Sequence, residues 1–124
     1  MSIVYEGSCV LEVDGQEAEI TKLDVKTLTG RKLVKTMNSQ GRSKGYTKGI
    51  KEYSITITAV VPEEGEEIDW ENMLNAKLTK YPLGNEGKRT SYLGCFSTEV
   101  GESYTVDNET VRDIQLHALR KVEE

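Results

Sequence analysis

Gly7, Cys9, Leu11 and Val13 fall on one side of an alternating run, with Ser8, Val10 and Glu12 on the other. A period of two marks a half-buried β-strand. Asp14-Gly15 follows, a dipeptide that accepts positive φ at both central positions of a tight hairpin turn. The return strand alternates Ala18 and Ile20 against Glu17 and Glu19. It then slips by one residue at Thr21-Lys22, and Leu23 and Val25 resume the apolar side, a break that a β-bulge explains. The clearest strand covers 52–61, where Tyr53, Ile55, Ile57 and Ala59 alternate with Ser54, Thr56 and Thr58 until Pro62 ends it. Beyond an acidic turn the spacing changes. Trp70, Met73, Leu74, Lys77 and Leu78 recur at helical intervals, Asp69 stands at a capping position and Glu71 suits the positive end of a helix dipole. These features predict a helix over about 69–80, broken by Pro82-Leu83-Gly84-Asn85. Two strands over about 88–98 and 104–106 follow, with a turn at Gly101. The final stretch, 110–122, reads two ways: Val111, Ile114, Ala118, Leu119 and Val122 fit a helix, whereas Ile114, Leu116 and Ala118 fit a strand.

Residues 29–49 break this rhythm. Their only large apolar side chains are Leu33, Val34, Met37 and Tyr46, and Gly41, Gly45 and Gly49 recur at every fourth position. Each glycine would cost a helix ~1 kcal/mol relative to alanine, so an extended arm or loop is expected. A loop of this length in a small domain usually serves a function.

Charge sharpens the arm. The 124 residues carry a net charge of −5, yet no acidic residue lies between Asp24 and Glu52. That window holds Lys26, Arg31, Lys32, Lys35, Arg42, Lys44, Lys48 and Lys51, which is half of the 16 basic residues. Acids gather instead in 6–19 and at Glu63, Glu64, Glu66, Glu67, Asp69 and Glu71. Separated blocks of opposite sign can steer one copy of a chain onto another. No apolar run approaches the ~20 residues of a spanning helix, so no membrane partner is expected. The opening Met1-Ser2-Ile3-Val4-Tyr5-Glu6 carries no secretory pattern, so Cys9 and Cys95 are expected to be reduced thiols in a protein made in a cytoplasm.

Candidate chemistry is sparse. His117 is the single histidine, and no serine sits in a nucleophile-elbow pattern. The glycine-rich stretch lacks phosphate-loop spacing and precedes a strand. One histidine and two distant cysteines do not make a zinc site, and the acidic run does not match a calcium loop. No catalytic residue, metal or cofactor is expected. A nucleic-acid-binding β-barrel that uses the basic 26–51 arm, with Tyr46 or Tyr53 stacking on a base, is the alternative. The net negative charge and an aromatic content of 6% count against it.

In order, these parts comprise the Asp14-Gly15 hairpin, a basic arm carrying Lys44-Gly45-Tyr46-Thr47-Lys48-Gly49 and the strand Tyr53-Ser54-Ile55-Thr56-Ile57-Thr58. Asp69-Trp70-Glu71 and the closing Asp113-Ile114-Gln115-Leu116-His117-Ala118-Leu119 complete the set. Together they resemble the tail tube proteins of contractile-tailed phages, especially the small Mu-like subunits, with type VI secretion tube proteins similar in fold. The resemblance implies one tail-tube-like domain over 1–124. Its fold would be mainly β, a twisted β-barrel or sandwich with one short flanking α-helix (about 69–80) and a long arm loop (about 29–49). It also favours a strand over a helix at 110–122. The implied role is a virion structural subunit, assembled in the host cytoplasm into stacked hexameric rings that form a conduit for DNA. Partners would be the chain itself, sheath, and terminator or baseplate proteins, with DNA passing unread through the lumen. Arg31, Lys32, Lys35, Arg42, Lys44, Tyr46 and Lys48 would form the inter-subunit or inter-ring arm. Glu63, Glu64, Glu66 and Glu67 would be the acidic surface it meets, and Ser54, Thr56 and Thr58 would face the lumen.

Overall fold

The computed structural model describes residues 2–65, 67–84 and 87–124. The Asp14-Gly15 signal holds: β1 (Cys9–Val13) turns into β2 (Gln16–Ala18) with φ of 50° at Asp14 and 86° at Gly15. β3 (Ile20–Leu28) runs antiparallel to β6 (Glu52–Val60), and their register shifts between Ile20 and Lys22, where the sequence slips. Between them, β4 (Lys32–Val34) and β5 (Gly45–Thr47) form a separate two-stranded sheet, pairing with no other strand among the described residues. The remaining strands are β7 (Ala76–Pro82), β8 (Thr90–Ser103), β9 (Val111–Ala118) and β10 (Arg120–Glu123). The main sheet has the order β2-β1-β7-β8-β9-β6-β3, with β10 alongside β8.

β8 joins the two halves of this sheet. Its first half pairs with β7 and β10, and its second half pairs with β9. At the junction Gly94 takes φ 67°, and the β7 register slips so that Ala76 faces Cys95 while Leu78 faces Tyr92. A Cβ at Gly94 would lie 3.0 Å from the Leu119 side chain. Leu119 separates β9 from β10 and donates its amide to the Leu93 carbonyl (3.0 Å), so the neighbouring strand breaks where β8 bends. Leu11, Val13, Ile55, Ile57, Leu78, Tyr92, Ile114 and Leu116, drawn from both halves, then meet in a single core with Trp70 and Met73.

Three expectations are corrected. The sheet does not close into a barrel: no ladder joins its end strands β2 and β3, although Glu19 links them in the chain. The flanking helix over 69–80 does not form, and no α-helix is present among the described residues. Trp70 and Met73 do point into the core together, and Asp69 accepts the Asn72 amide (3.4 Å) as a cap would. Asn75 then enters the left-handed region (φ 53°), and 76–82 continues as a strand hydrogen-bonded on both edges, to β1 and to β8. A helix there would leave both neighbours with unpaired backbone, a cost its propensity cannot offset. Finally, β8 is one strand through Gly101, whereas 104–106 is not a strand. The 110–122 stretch is β9 and β10, as the resemblance favoured.

Trp70 is 3% exposed although it stands on a turn. Trp70→Ala is therefore expected to lower unfolding stability by about 3–5 kcal/mol in denaturant melts, the cost of emptying a buried aromatic site.

Candidate assembly surface

The arm leaves the body where the β3–β6 ladder ends at Leu28 and Glu52. Gly30 and Gly49 cross at its neck. A Cβ on Gly49 would lie 2.5 Å from the Gly30 carbonyl oxygen, and Gly30 itself takes φ 79°. Only glycine fits such an approach. Beyond the neck, β4 and β5 form a ribbon with Tyr46 opposite Leu33, both exposed. Arg31, Lys32, Lys35, Arg42, Lys44 and Lys48 lie along this ribbon and its tip, and all are exposed. Among the described residues none of them forms an ion pair within the chain. Where a long arm loop was expected, the chain builds a two-stranded ribbon.

The acidic residues divide. Glu63 and Glu64 are exposed in the turn after Pro62, whereas Glu66 lies outside the described residues. Glu67 is already engaged: Arg112 bridges it to Glu102, tying the 61–75 connection to β9 and β8. Tyr104 donates to Glu102 (2.8 Å), and this bond with Arg112 holds the Glu102 carboxyl below the usual carboxylate range. Arg112 was not singled out by the sequence, where it is one arginine in an ambiguous segment.

Ser54, Thr56 and Thr58 share the face of β6 that turns away from the core. β9 supplies their partners. Thr56 donates to Gln115 Oε1 (3.1 Å), Gln115 Nε2 to Ser54 Oγ (2.7 Å), and Thr58 to Asp113 (2.9 Å). Lys22, Asp24 and Lys26 stand opposite Thr58, Thr56 and Ser54 in the β3 register, so the sheet presents a continuous polar face. Gln115 and Asp113 were also missed. They alternate with Ile114 and Leu116, but the same stretch also fits a helix, which would not place them beside β6.

No protein-family model and no curated protein matches the chain. Solved structures do. The chain superposes on the sheath/tube terminator of an extracellular contractile injection system, PVC, with a TM-score of 0.71, 15% identity and coverage of 99% of both chains. For the SPP1 tail tube the TM-score is 0.70 at 11% identity, over 94% of this chain and 74% of that one. This is the tail tube fold. Hcp1 from Flavobacterium johnsoniae shares it more distantly, with a TM-score of 0.54 at 11% identity over 94% of this chain and 98% of that one. The tail tube and terminator neighbours are structural proteins, not enzymes.

The tail tube fold here places its two thiols in opposite settings. Cys9 is exposed on β1, while Cys95 is buried and donates to the Tyr92 carbonyl (3.2 Å). Burial pushes the Cys95 thiol up to about 11. At pH 8 a maleimide is expected to label Cys9 alone, with Cys95 reacting only in denaturant. The same burial gives an alkaline prediction. The stability that the neutral Cys95 thiol contributes is complete below its unfolded value of 9.0 and is lost as pH rises through about 11. Melts of wild type and Cys95→Ala over that range should converge.

Proposed function

We propose that the chain is a structural subunit of a phage-type tail tube, assembling with its own copies into stacked six-membered rings around a DNA conduit. The observation that carries this reading is the arm, whose ribbon pairs with no strand of the main sheet and whose cations form no ion pair among the described residues. Free edges support it. Among the described residues β2 and β3 each have one unpaired side, and such edges are a liability unless a neighbour covers them. Lateral pairing would close a ring, and head-to-tail stacking would extend it. Arg31, Lys32, Lys35, Arg42, Lys44, Tyr46 and Lys48 then reach the next ring, and Glu63 and Glu64 belong to the acidic surface they meet. The hydroxyl face of Ser54, Thr56 and Thr58 lines the lumen, where DNA passes without being read. Sheath and terminator or baseplate proteins are the other partners. The assembled product resides in the virion and is built in the host cytoplasm.

The match to the PVC terminator over the whole of both chains favours a second reading, a ring that ends a tube rather than extending it. Negative-stain microscopy across a concentration series separates the two, since a tube subunit gives filaments and a terminator gives single rings. A strict monomer at high concentration would reject both.

Lys44→Ala with Lys48→Ala is expected to weaken polymerisation while leaving the melting curve unchanged, because neither residue contributes to the core. The loss should be moderate, since an exposed pair is worth only ~0–1 kcal/mol. Raising salt should weaken wild-type assembly in the same direction, as exposed charges are screened beyond ~8–10 Å. Intact polymers with a flattened salt dependence of DNA affinity would instead support the nucleic-acid-binding alternative.

A further inference from the structure

The tip of the arm is built, not slack. The Asn38 side chain donates to the carbonyls of Arg42 (2.8 Å) and Thr36 (3.2 Å), and its Oδ1 accepts the Gln40 amide (3.0 Å). The Gly41 amide closes the turn on the Asn38 carbonyl (3.2 Å) with φ 65° at Gly41. This knuckle holds up Met37, the most exposed large apolar side chain of the chain's described residues at 102%. Leu33 and Tyr46 are exposed along the ribbon behind it. An apolar side chain on a preorganised tip loses little conformational freedom on docking, which is how an anchor differs from a floppy loop.

A groove with the complementary character lies on the same molecule. At the seam where β2 leads into β3, a groove of about 190 Å³ runs between 16–19 and 59–62. Ala18, Val61, Pro62 and Ile68 give it an apolar lining, and Glu17 and Glu19 stand on its rim. Both carboxylates are exposed and make no ion pair among the described residues. At ~30 Å³ per water the groove holds roughly six, room for a methionine side chain. Of the larger hollows, the one beside Cys9 is a poorer fit, because Lys80 and Lys88 line it and its acid, Glu6, is already paired with Lys88 (3.1 Å).

Groove and arm lie at opposite ends of one ladder. The arm leaves β3–β6 at the Leu28/Glu52 pair, and the groove borders the Ile20/Ala59 pair. Seven steps along the unbulged strand β6, at ~3.3 Å each, separate them by ~23 Å. A contact between such opposite ends is heterologous and propagates from copy to copy. Resting on the self-assembly reading above, we infer that the arm of one copy seats in the seam groove of the next, with Met37 as its apolar anchor and Glu17 and Glu19, together with Glu63 and Glu64 that follow Pro62 in the chain, facing the arm's cations.

Crosslinking tests this on the full chain. In a Cys9→Ser background, Met37→Cys with Pro62→Cys and a short bismaleimide should give a ladder of covalent multimers on a denaturing gel. Each single-cysteine chain should stop at dimer or below. Met37→Cys with Cys9 retained should give no ladder, and a ladder there would place the arm in the other hollow and overturn the inference. So would filaments seen by microscopy with no Met37→Cys/Pro62→Cys ladder, a result that leaves the tube reading standing. Absence of wild-type polymers would sink both. As an independent measure, Met37→Asp should raise the concentration needed for polymers at least about tenfold, and Met37→Leu should stay within about twofold. Equal behaviour of the two would show that Met37 is no anchor.

Discussion

A single sheet that must bury its own apolar face sets the terms for everything else in this molecule. No helix among the described residues covers it, so the sheet has to fold back until its two halves face each other. The fold-back is concentrated at Gly94, where β8 can bend because glycine accepts the left-handed region and leaves space for Leu119. The β9–β10 break at Leu119 lets the neighbouring strand follow. Everything apolar in the strands then reaches one core, and the connection carrying Trp70 and Met73 completes it.

Folding back without closing has a consequence at the surface. β2 and β3 end the ladder side by side in the chain, held at the seam by the Val60 amide on the Glu19 carbonyl (3.1 Å), yet each keeps a free edge. The arm is a second debt left open, since its ribbon buries nothing of its own and exposes Leu33, Met37 and Tyr46. A monomer gains nothing from holding such groups in order. Ordered exposed apolar groups, unpaired edges and unmatched charge are the features on which the proposed self-assembly rests.

The polar side of the second half-sheet completes the division of labour. Its hydroxyls, amide and carboxylate bond across β6 and β9 rather than to bulky neighbours, so this face stays wet while its reverse is the dry core. Alternation along one strand thus serves two environments at once.

Local chemistry was legible where a strand or turn is decided by its own residues. Asp14-Gly15, the slip at Thr21-Lys22, the alternation of Tyr53 to Ala59 and the acid-free basic arm were all readable because turn geometry, side-chain period and charge are properties of neighbouring residues. What the sequence could not decide were choices made by distant partners. Residues 69–80 carry helical spacing, but β1 and β8 compete for the same backbone and win it for β7 from Ala76 onward. The seam groove is assembled from 16–19, 59–62 and Ile68, and the Arg112 bridge joins segments 45 residues apart; neither leaves a mark in any local pattern. Period, turn and charge belonged to the sequence, while edge pairing, the bend at Gly94 and the surfaces they create belonged to the tertiary structure, because backbone hydrogen bonds are satisfied globally and not residue by residue.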